Sequence, residues 1–303
     1  MVSIQNLTKI YGIQKAINDL SFEVKQGEIL GFLGPNGAGK STTMKIITGY
    51  LQPTSGSVSV DGFEVKEEPL EVKKRVGYLP EHNPLYLDMY VHEFLDFAGR
   101  IHGLDRKAVR PRIKEVIDMT GLGIEQHKKI GALSKGYRQR VGLSQALIHD
   151  PEVLILDEPT SGLDPNHIVD IRELVKQIGQ DKTVIFSSHI LSEVEFISNR
   201  VIIINKGQIV ADHPTSQLSS LAEDSIQLVL EVEEEGFDIK PIQGWEGVKN
   251  VEVLTPNSFR IHTQMDVDIR KQLFEACVSQ KKSMIGLTRA TFTLEDAFRK
   301  LTA

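Results

Sequence analysis

The sequence predicts an α/β core followed by a small α+β appendage, and three observations carry that expectation. Strand-like and helix-like segments alternate from the start to about Asp212, which implies an α/β core. Val153-Leu154-Ile155-Leu156 and Thr183-Val184-Ile185-Phe186 are short and wholly apolar, as strands covered on both faces must be. A glycine-rich loop from Gly34 to Thr42 stands between an apolar run and a helical pattern.

Glu28-Ile29-Leu30-Gly31-Phe32-Leu33 reads as a buried strand, and Thr42-Thr43-Met44-Lys45-Ile46-Ile47 opens a helix. Gly56-Ser57-Val58-Ser59-Val60-Asp61-Gly62 reads as a strand closed by a turn. From about Leu87 to Leu147 the pattern is helical: Val91, Phe94, Leu95 and Ala98 share one face, as do Ile113, Val116 and Ile117. This is a helical insert within the α/β core. The pattern changes near Ser219, after the linker His213-Pro214-Thr215-Ser216. Ser225 to Val232 alternates as a strand, Val248 to Leu254 and Ser258 to His262 are further strand candidates, and Asp268 to Val278 and Leu294 to Leu301 look helical. The expected domains are therefore residues 1 to 215 and 220 to 303, the first with its insert at about 87 to 147. The acidic run Glu231-Val232-Glu233-Glu234-Glu235 reads as a solvated strand end.

Composition narrows the function class. The chain has 303 residues, 40% hydrophobic and 25% charged, which is ordinary globular composition with room for one large core and one small. A net charge of −6 argues against a nucleic-acid binder that relies on a basic face. A single cysteine, Cys277, rules out an internal disulfide and suits a reducing compartment. The first residues lack the basic and apolar stretches of a signal peptide. Apolar runs such as Val201-Ile202-Ile203-Ile204 are too short to cross a bilayer. The expected location is cytoplasmic, or docked on a membrane through another protein.

Gly34-Pro35-Asn36-Gly37-Ala38-Gly39-Lys40-Ser41-Thr42 fits G-x-x-x-x-G-K-[ST], the P-loop pattern. Its glycines let successive N–H groups turn toward phosphate oxygens, and the following helix adds the positive end of its dipole. Gly34, Asn36, Gly37, Gly39, Lys40, Ser41 and Thr42 are the candidate nucleotide-binding residues of the loop. Lys40 would reach the β- and γ-phosphates, and the Ser41 hydroxyl would ligate Mg²⁺. The apolar strand Val153 to Leu156 ends in Asp157 and Glu158. Asp157 can hold Mg²⁺ through its water shell beside Ser41, and Glu158 can take a proton from an attacking water.

Three further stretches make the pattern specific: Leu133-Ser134-Lys135-Gly136-Tyr137-Arg138-Gln139-Arg140-Val141, Ser161-Gly162-Leu163-Asp164-Pro165 and Ser187-Ser188-His189. With them in order, residues 1 to 215 resemble the nucleotide-binding subunit of an ATP-binding cassette (ABC) transporter. The resemblance implies a P-loop NTPase core with an N-terminal β subdomain and a helical insert. Ser134 and Gly136 match the phosphate-facing pair of the family's signature loop, usually Leu-Ser-Gly-Gly-Gln. Lys135 and Tyr137 depart from it. Ser134 is also a good N-cap, and Arg138 to Ile148 is a strong helix candidate. In the family this second phosphate receptor serves the neighbouring subunit's ATP, so two subunits sandwich two ATP molecules.

Asp164 resembles the residue of the loop that links the two sites, and is equally a helix N-cap before Pro165. His189 resembles the switch histidine that contacts the γ-phosphate. Tyr11 matches the aromatic that stacks on adenine, or is a surface aromatic on an early strand. Glu81, in Val76-Gly77-Tyr78-Leu79-Pro80-Glu81, stands where most members carry a metal-facing Gln. An ionised Glu only accepts hydrogen bonds, and it adds negative charge near a polyanion. Gly77 to Tyr86, the signature loop and Thr293 to Phe298 are similar to the gliding-motility-associated branch, which is allied to multidrug-export ATPases. The resemblance implies ATP and Mg²⁺, integral membrane permease subunits, and a homodimer or a heterodimer with a related ATPase subunit. No nucleic acid is expected. The rival reading is a soluble ABC-type ATPase of translation or DNA repair. Those proteins commonly carry paired cassettes or a long coiled-coil or zinc insert, and neither is visible here.

Overall fold

The structure is a computed structural model, and it describes residues 1–217, 226–264 and 267–290. The chain divides into two compact units, with the break between Thr215 and Ser216.

The first unit opens with two long strands, β1 (Val2–Tyr11) and β2 (Gln14–Val24), then β3 (Ile29–Leu33), which is buried along its whole length. Helix α1 (Lys40–Ile47) follows the glycine-rich loop. It starts two residues before the sequence pattern suggested, because the loop delivers Lys40 already in helical geometry. Next come β4 (Ser55–Val60), β5 (Phe63–Glu64), α2 (Pro69–Arg75) and β6 (Val76–Leu79). The helical segment holds α3 (Val91–Ile101), α4 (Arg106–Thr120) and α5 (Lys135–Leu147). Asp105 caps α4 by accepting two backbone N–H groups at 2.8 Å, and left-handed Gly121 ends it. The unit closes with β7 (Val153–Leu156), α6 (Pro165–Ile178), β8 (Thr183–Ser188), α7 (Leu191–Ile197), β9 (Arg200–Asn205) and β10 (Gln208–Pro214).

These strands form two sheets. One has the order β10-β9-β3-β8-β7-β6 and is parallel except for β10. The other, β2-β1-β4-β5, is antiparallel. They share one core, in which Met44, Ile46 and Ile47 of α1 meet Ile4 and Leu20 of the antiparallel sheet and Leu30, Ile155 and Ile202 of the parallel one. Phe22 and Phe32 bring the two sheets into ring contact at 5.6 Å. Strands β3, β7 and β8 are neighbours, so the loops at their carboxyl ends converge, the usual place for a site in such sheets.

The second unit runs β11 (Ile226–Val232), α8 (Lys240–Gln243), β12 (Val248–Thr255), β13 (Ser258–Thr263), α9 (Arg270–Ser279) and β14 (Met284–Ala290). Its antiparallel sheet has the order β12-β13-β11-β14, a split βαβ arrangement. Leu228, Leu230, Phe259 and Ile261 pack with Ile242, Leu273 and Cys277 of the helices. Helix α9 begins two residues after the expected Asp268, because the Asp268 carboxylate accepts the Arg270 N–H. Ser225 and the expected helix Leu294 to Leu301, with Thr293 to Phe298, lie outside the described residues.

Candidate active site

The site begins with a backbone that only glycine follows easily. Gly39 has φ +110°, and a Cβ there would lie 2.6 Å from the Ala16 carbonyl oxygen. Gly37, at φ +79°, helps the loop to curl. The first N–H groups of α1 have no partner within the helix and carry its positive dipole end. The loop and helix start wall a cavity of about 400 Å³, which Ala16, Glu81, Glu158, Ser161 and His189 complete. Asn36, Gly37, Gly39, Lys40, Ser41 and Thr42 all line it. Gly34 lies just behind and supplies a carbonyl to Lys40 at 2.8 Å. The Lys40 side chain is 6% exposed; its ammonium also donates to Pro35 at 3.3 Å and pairs with Glu158 Oε1 at 3.3 Å.

The two carboxylates at the end of β7 are set differently. Asp157 Oδ1 accepts the hydroxyls of Ser41 at 3.0 Å and Ser187 at 2.7 Å. Burial pushes its carboxyl above the usual range; the serine hydroxyls oppose that push, while Glu81 and Glu158 add to it by charge. Glu158 adopts a left-handed backbone at φ +49°, uncommon for a residue with a Cβ, and its N–H donates to Ser187 Oγ at 2.9 Å. Its Oε2 lies 2.8 Å from His189 Nδ1. Ser187 therefore holds the Asp157 carboxylate and the backbone of Glu158. His189 keeps nearly half its side chain exposed at the cavity wall.

The donor set fits a small hard cation. Among the described residues no group of three or more His, Cys, Asp or Glu has metal-holding geometry. Mg²⁺ takes one or two carboxylates plus phosphate and water oxygens, and the Asp157 carboxylate with the Ser41 hydroxyl 3.0 Å away is a donor pair of that kind. Ser41 and Asp157 would hold it. Exposed Glu81 lines both the loop cavity and a second cavity that also reaches Ser41 and Asp157.

Besides Gly34 and Asp157, which bond to lining residues, four expected residues do not line this cavity. Ser134 caps α5 and accepts the Tyr137 N–H at 3.4 Å; that helix starts at Lys135, before the expected Arg138, and includes Gly136. Asp164 caps α6, accepting the His167 N–H at 3.2 Å and lying 2.7 Å from its Nδ1. These bonds from His167 hold the Asp164 carboxyl below its usual range. Tyr11 ends β1 as an exposed ring with the Lys9 ammonium 5.2 Å from its centroid.

Sequence reasoning passed over several contributors. Ser187 stood in view near His189, but nothing local marks its bonds to the Asp157 carboxylate and the Glu158 N–H beyond the end of β7. Ala16 arrives from β2 with no chemical signature. Glu193 is 1% exposed and accepts both Thr160 Oγ1 at 2.8 Å and Ser188 Oγ at 2.7 Å. It thereby ties the loop after Glu158 to the turn before His189. The signal was a carboxylate on the buried face of a short helix.

A P-loop beside a serine-held aspartate, with a buried glutamate in the cavity wall, defines a nucleoside triphosphate hydrolase. Comparison with known proteins narrows the class. The ABC transporter family model matches residues 17–161. The ABC transporter ATP-binding protein YxlF of Bacillus subtilis is 33% identical over 99% of both chains. The bacitracin transport ATP-binding protein BcrA of Bacillus licheniformis is 33% identical over 99% of this chain and 97% of its own. The linearmycin resistance ATP-binding protein LnrL of B. subtilis is 39% identical over 73% and 71%. Among solved structures, a dimeric post-hydrolysis state of the ATP-binding cassette MJ0796, bound to ADP and Pi, has TM-score 0.66 at 26% identity, covering 71% of this chain and 99% of that one. CbiO1 of Clostridium perfringens, part of the CbiONQ transporter complex, has TM-score 0.67 at 26% identity over 72% and 90%. This chain belongs to the ABC transporter ATP-binding family, and it is an ATPase. Among the described residues no helix is long and apolar enough to cross a membrane.

Proposed function

We propose that the chain is the ATPase subunit of an ABC exporter, in which two copies, or this chain and a related subunit, close on two ATP molecules and drive integral membrane permease subunits. The observation that carries it is the chain of contacts Ser41–Asp157–Ser187–Glu158 beside the P-loop cavity. It holds a metal-facing acid and a base-forming acid in fixed relation to one phosphate receptor.

Catalysis in this arrangement is positioning and charge stabilisation. Lys40 and the loop amides neutralise the phosphates, and Ser41 and Asp157 hold Mg²⁺ with Glu81 alongside. When bound, the ion screens charge on the β- and γ-phosphates. Glu158 takes the proton of the attacking water and His189 fixes its direction. Tyr11 stacks on the base. Ser134 and Gly136 grip the γ-phosphate held by the other copy, and Asp164 links the two sites. Since ATP and the second copy meet at one surface, ATP promotes dimerisation by linkage.

Export as the direction draws support from relatives named for bacitracin transport and linearmycin resistance. A gliding-motility role is a narrower proposal that rests on the Gly77 to Tyr86, signature and Thr293 to Phe298 sequence motifs alone. Location on the inner face of the membrane follows from permease binding. The test is purification from native membranes under mild detergent. Co-purification with a polytopic membrane protein is the expected result; co-sedimentation with ribosomes instead would favour a soluble ATPase of translation.

A further inference from the structure

Ser134 and Asp164 lie off the ATP cavity, yet their neighbourhoods are packed on each other within one chain. His167, in the first turn of α6, stands at the junction with about a quarter of its side chain exposed. Its Nδ1 donates to Asp164 Oδ2 at 2.7 Å. Its ring covers Gly136 so closely that a Cβ there would come within 2.4 Å of the His167 Cδ2. The Tyr137 ring meets it edge-on, with centroids 5.8 Å apart. Lys135 reaches the same turn from the other side: a Cβ on Gly162 would lie 2.1 Å from its Nζ. One turn on, Arg140 Nη2 pairs with Asp170 Oδ2 at 2.6 Å. Lys135 and Tyr137, the two departures from the usual signature loop, thus both pack against the Asp164 turn and α6.

We infer that His167 is a positioning residue: it fixes the Ser134–Gly136 phosphate receptor to the Asp164 turn, so that both surfaces offered to a second copy move as one piece. The inference rests on the two-copy reading above. A receptor built from a helix start and one hydroxyl works only when its donors are correctly placed, and a shift of about 1 Å can reduce rate a hundredfold. Removing the imidazole opens a gap beside Gly136 and takes from Asp164 the ring donor that orients it. His167 does not line the P-loop cavity, so the first capture of ATP should not feel the change.

The test uses His167→Ala and His167→Gln in the full chain, each also combined with Glu158→Gln, with Ser134→Ala as the reference lesion. We expect His167→Ala to bind ATP as a monomer with unchanged affinity while kcat falls roughly ten- to hundredfold. In the Glu158→Gln background, ATP should drive dimerisation only at correspondingly higher protein concentration. His167→Gln keeps a donor for Asp164 and should recover most of the loss. If His167→Ala melts below the assay temperature, His167→Phe, which keeps a ring over Gly136 and loses the Asp164 bond, serves instead; lowered kcat at unchanged ATP affinity is again expected. A merely structural role would lower the melting temperature and ATP affinity together with kcat, and that result overturns the inference. So does wild-type turnover and dimerisation in His167→Ala or His167→Phe while Ser134→Ala is impaired, an outcome that leaves the two-copy site standing. Unimpaired Ser134→Ala would remove the two-copy site itself, and the inference with it.

Discussion

Glu158→Gln separates binding from chemistry. Glu158 Oε1 stands 3.3 Å from Lys40 Nζ, and both side chains are almost fully buried. With an effective dielectric constant of about 20, the attraction at that distance is about 5 kcal/mol before desolvation is subtracted. Gln keeps an oxygen for Lys40 but removes the charge, and Gly34 and Pro35 still accept from the ammonium. The nucleotide-free variant should therefore lose about 2 kcal/mol of stability. ATP brings its own negative charge to Lys40, so it should reverse that loss and bind at least as tightly as to wild type. Turnover should fall by about 10²- to 10⁴-fold, the usual contribution of a positioned general base. Unfolding with and without ATP, equilibrium ATP binding and a phosphate-release assay measure the three quantities. Near-wild-type turnover would remove Glu158 from the base role; weakened ATP binding would show that its charge builds the site rather than competing for Lys40.

Two further outcomes are expected. Lys40→Ala removes the buried ammonium between loop and phosphates, so calorimetry should find ATP binding lost or strongly weakened; unchanged affinity would overturn the loop's assignment. His149 stacks on His102 with ring centroids 3.8 Å apart, and burial, reinforced by His102, pushes it down to about 4. The folded state thus keeps a neutral ring where the unfolded chain takes up a proton near pH 6.5. The stability it contributes is complete above that value and is lost as pH falls toward 4. Allowing for partial solvent screening, stability should drop by about 1–2 kcal/mol between pH 7 and pH 5. His149→Phe keeps the stack and removes the proton, so urea unfolding at the two pH values should show a smaller drop; an equal drop would refute the assignment.

The parts of the fold legible in the sequence were those with strong local chemistry. The buried strands β3, β7 and β8 announced themselves as apolar runs, and the loop from Gly34 to Thr42 carried its geometry in its glycines. Asp157 and Glu158 were visible because they end an apolar strand downstream of a P-loop. The residues that set their surroundings were not visible: Ser187 contacts both, and Glu193 ties Thr160 to Ser188, through strand adjacency and burial that no spacing encodes. Helix starts slipped by two residues at Lys40 and Arg270, where caps and loop geometry rather than periodicity set the boundary. Ser134 and Asp164 were readable as caps, but the packing of His167 between them follows only from the first turns of α5 and α6 meeting in space.

Mixing two defective chains tests the shared site most directly. Lys40→Ala disables the P-loop and Ser134→Arg blocks the signature receptor, so each protein alone should be inactive. If each ATP is held by the P-loop of one copy and the Ser134 of another, a mixed dimer contains one intact site. Random pairing of independent sites should then restore about a quarter of wild-type turnover. No recovery from a mixture shown to form mixed dimers, or full activity of either variant as a monomer, would contradict the account.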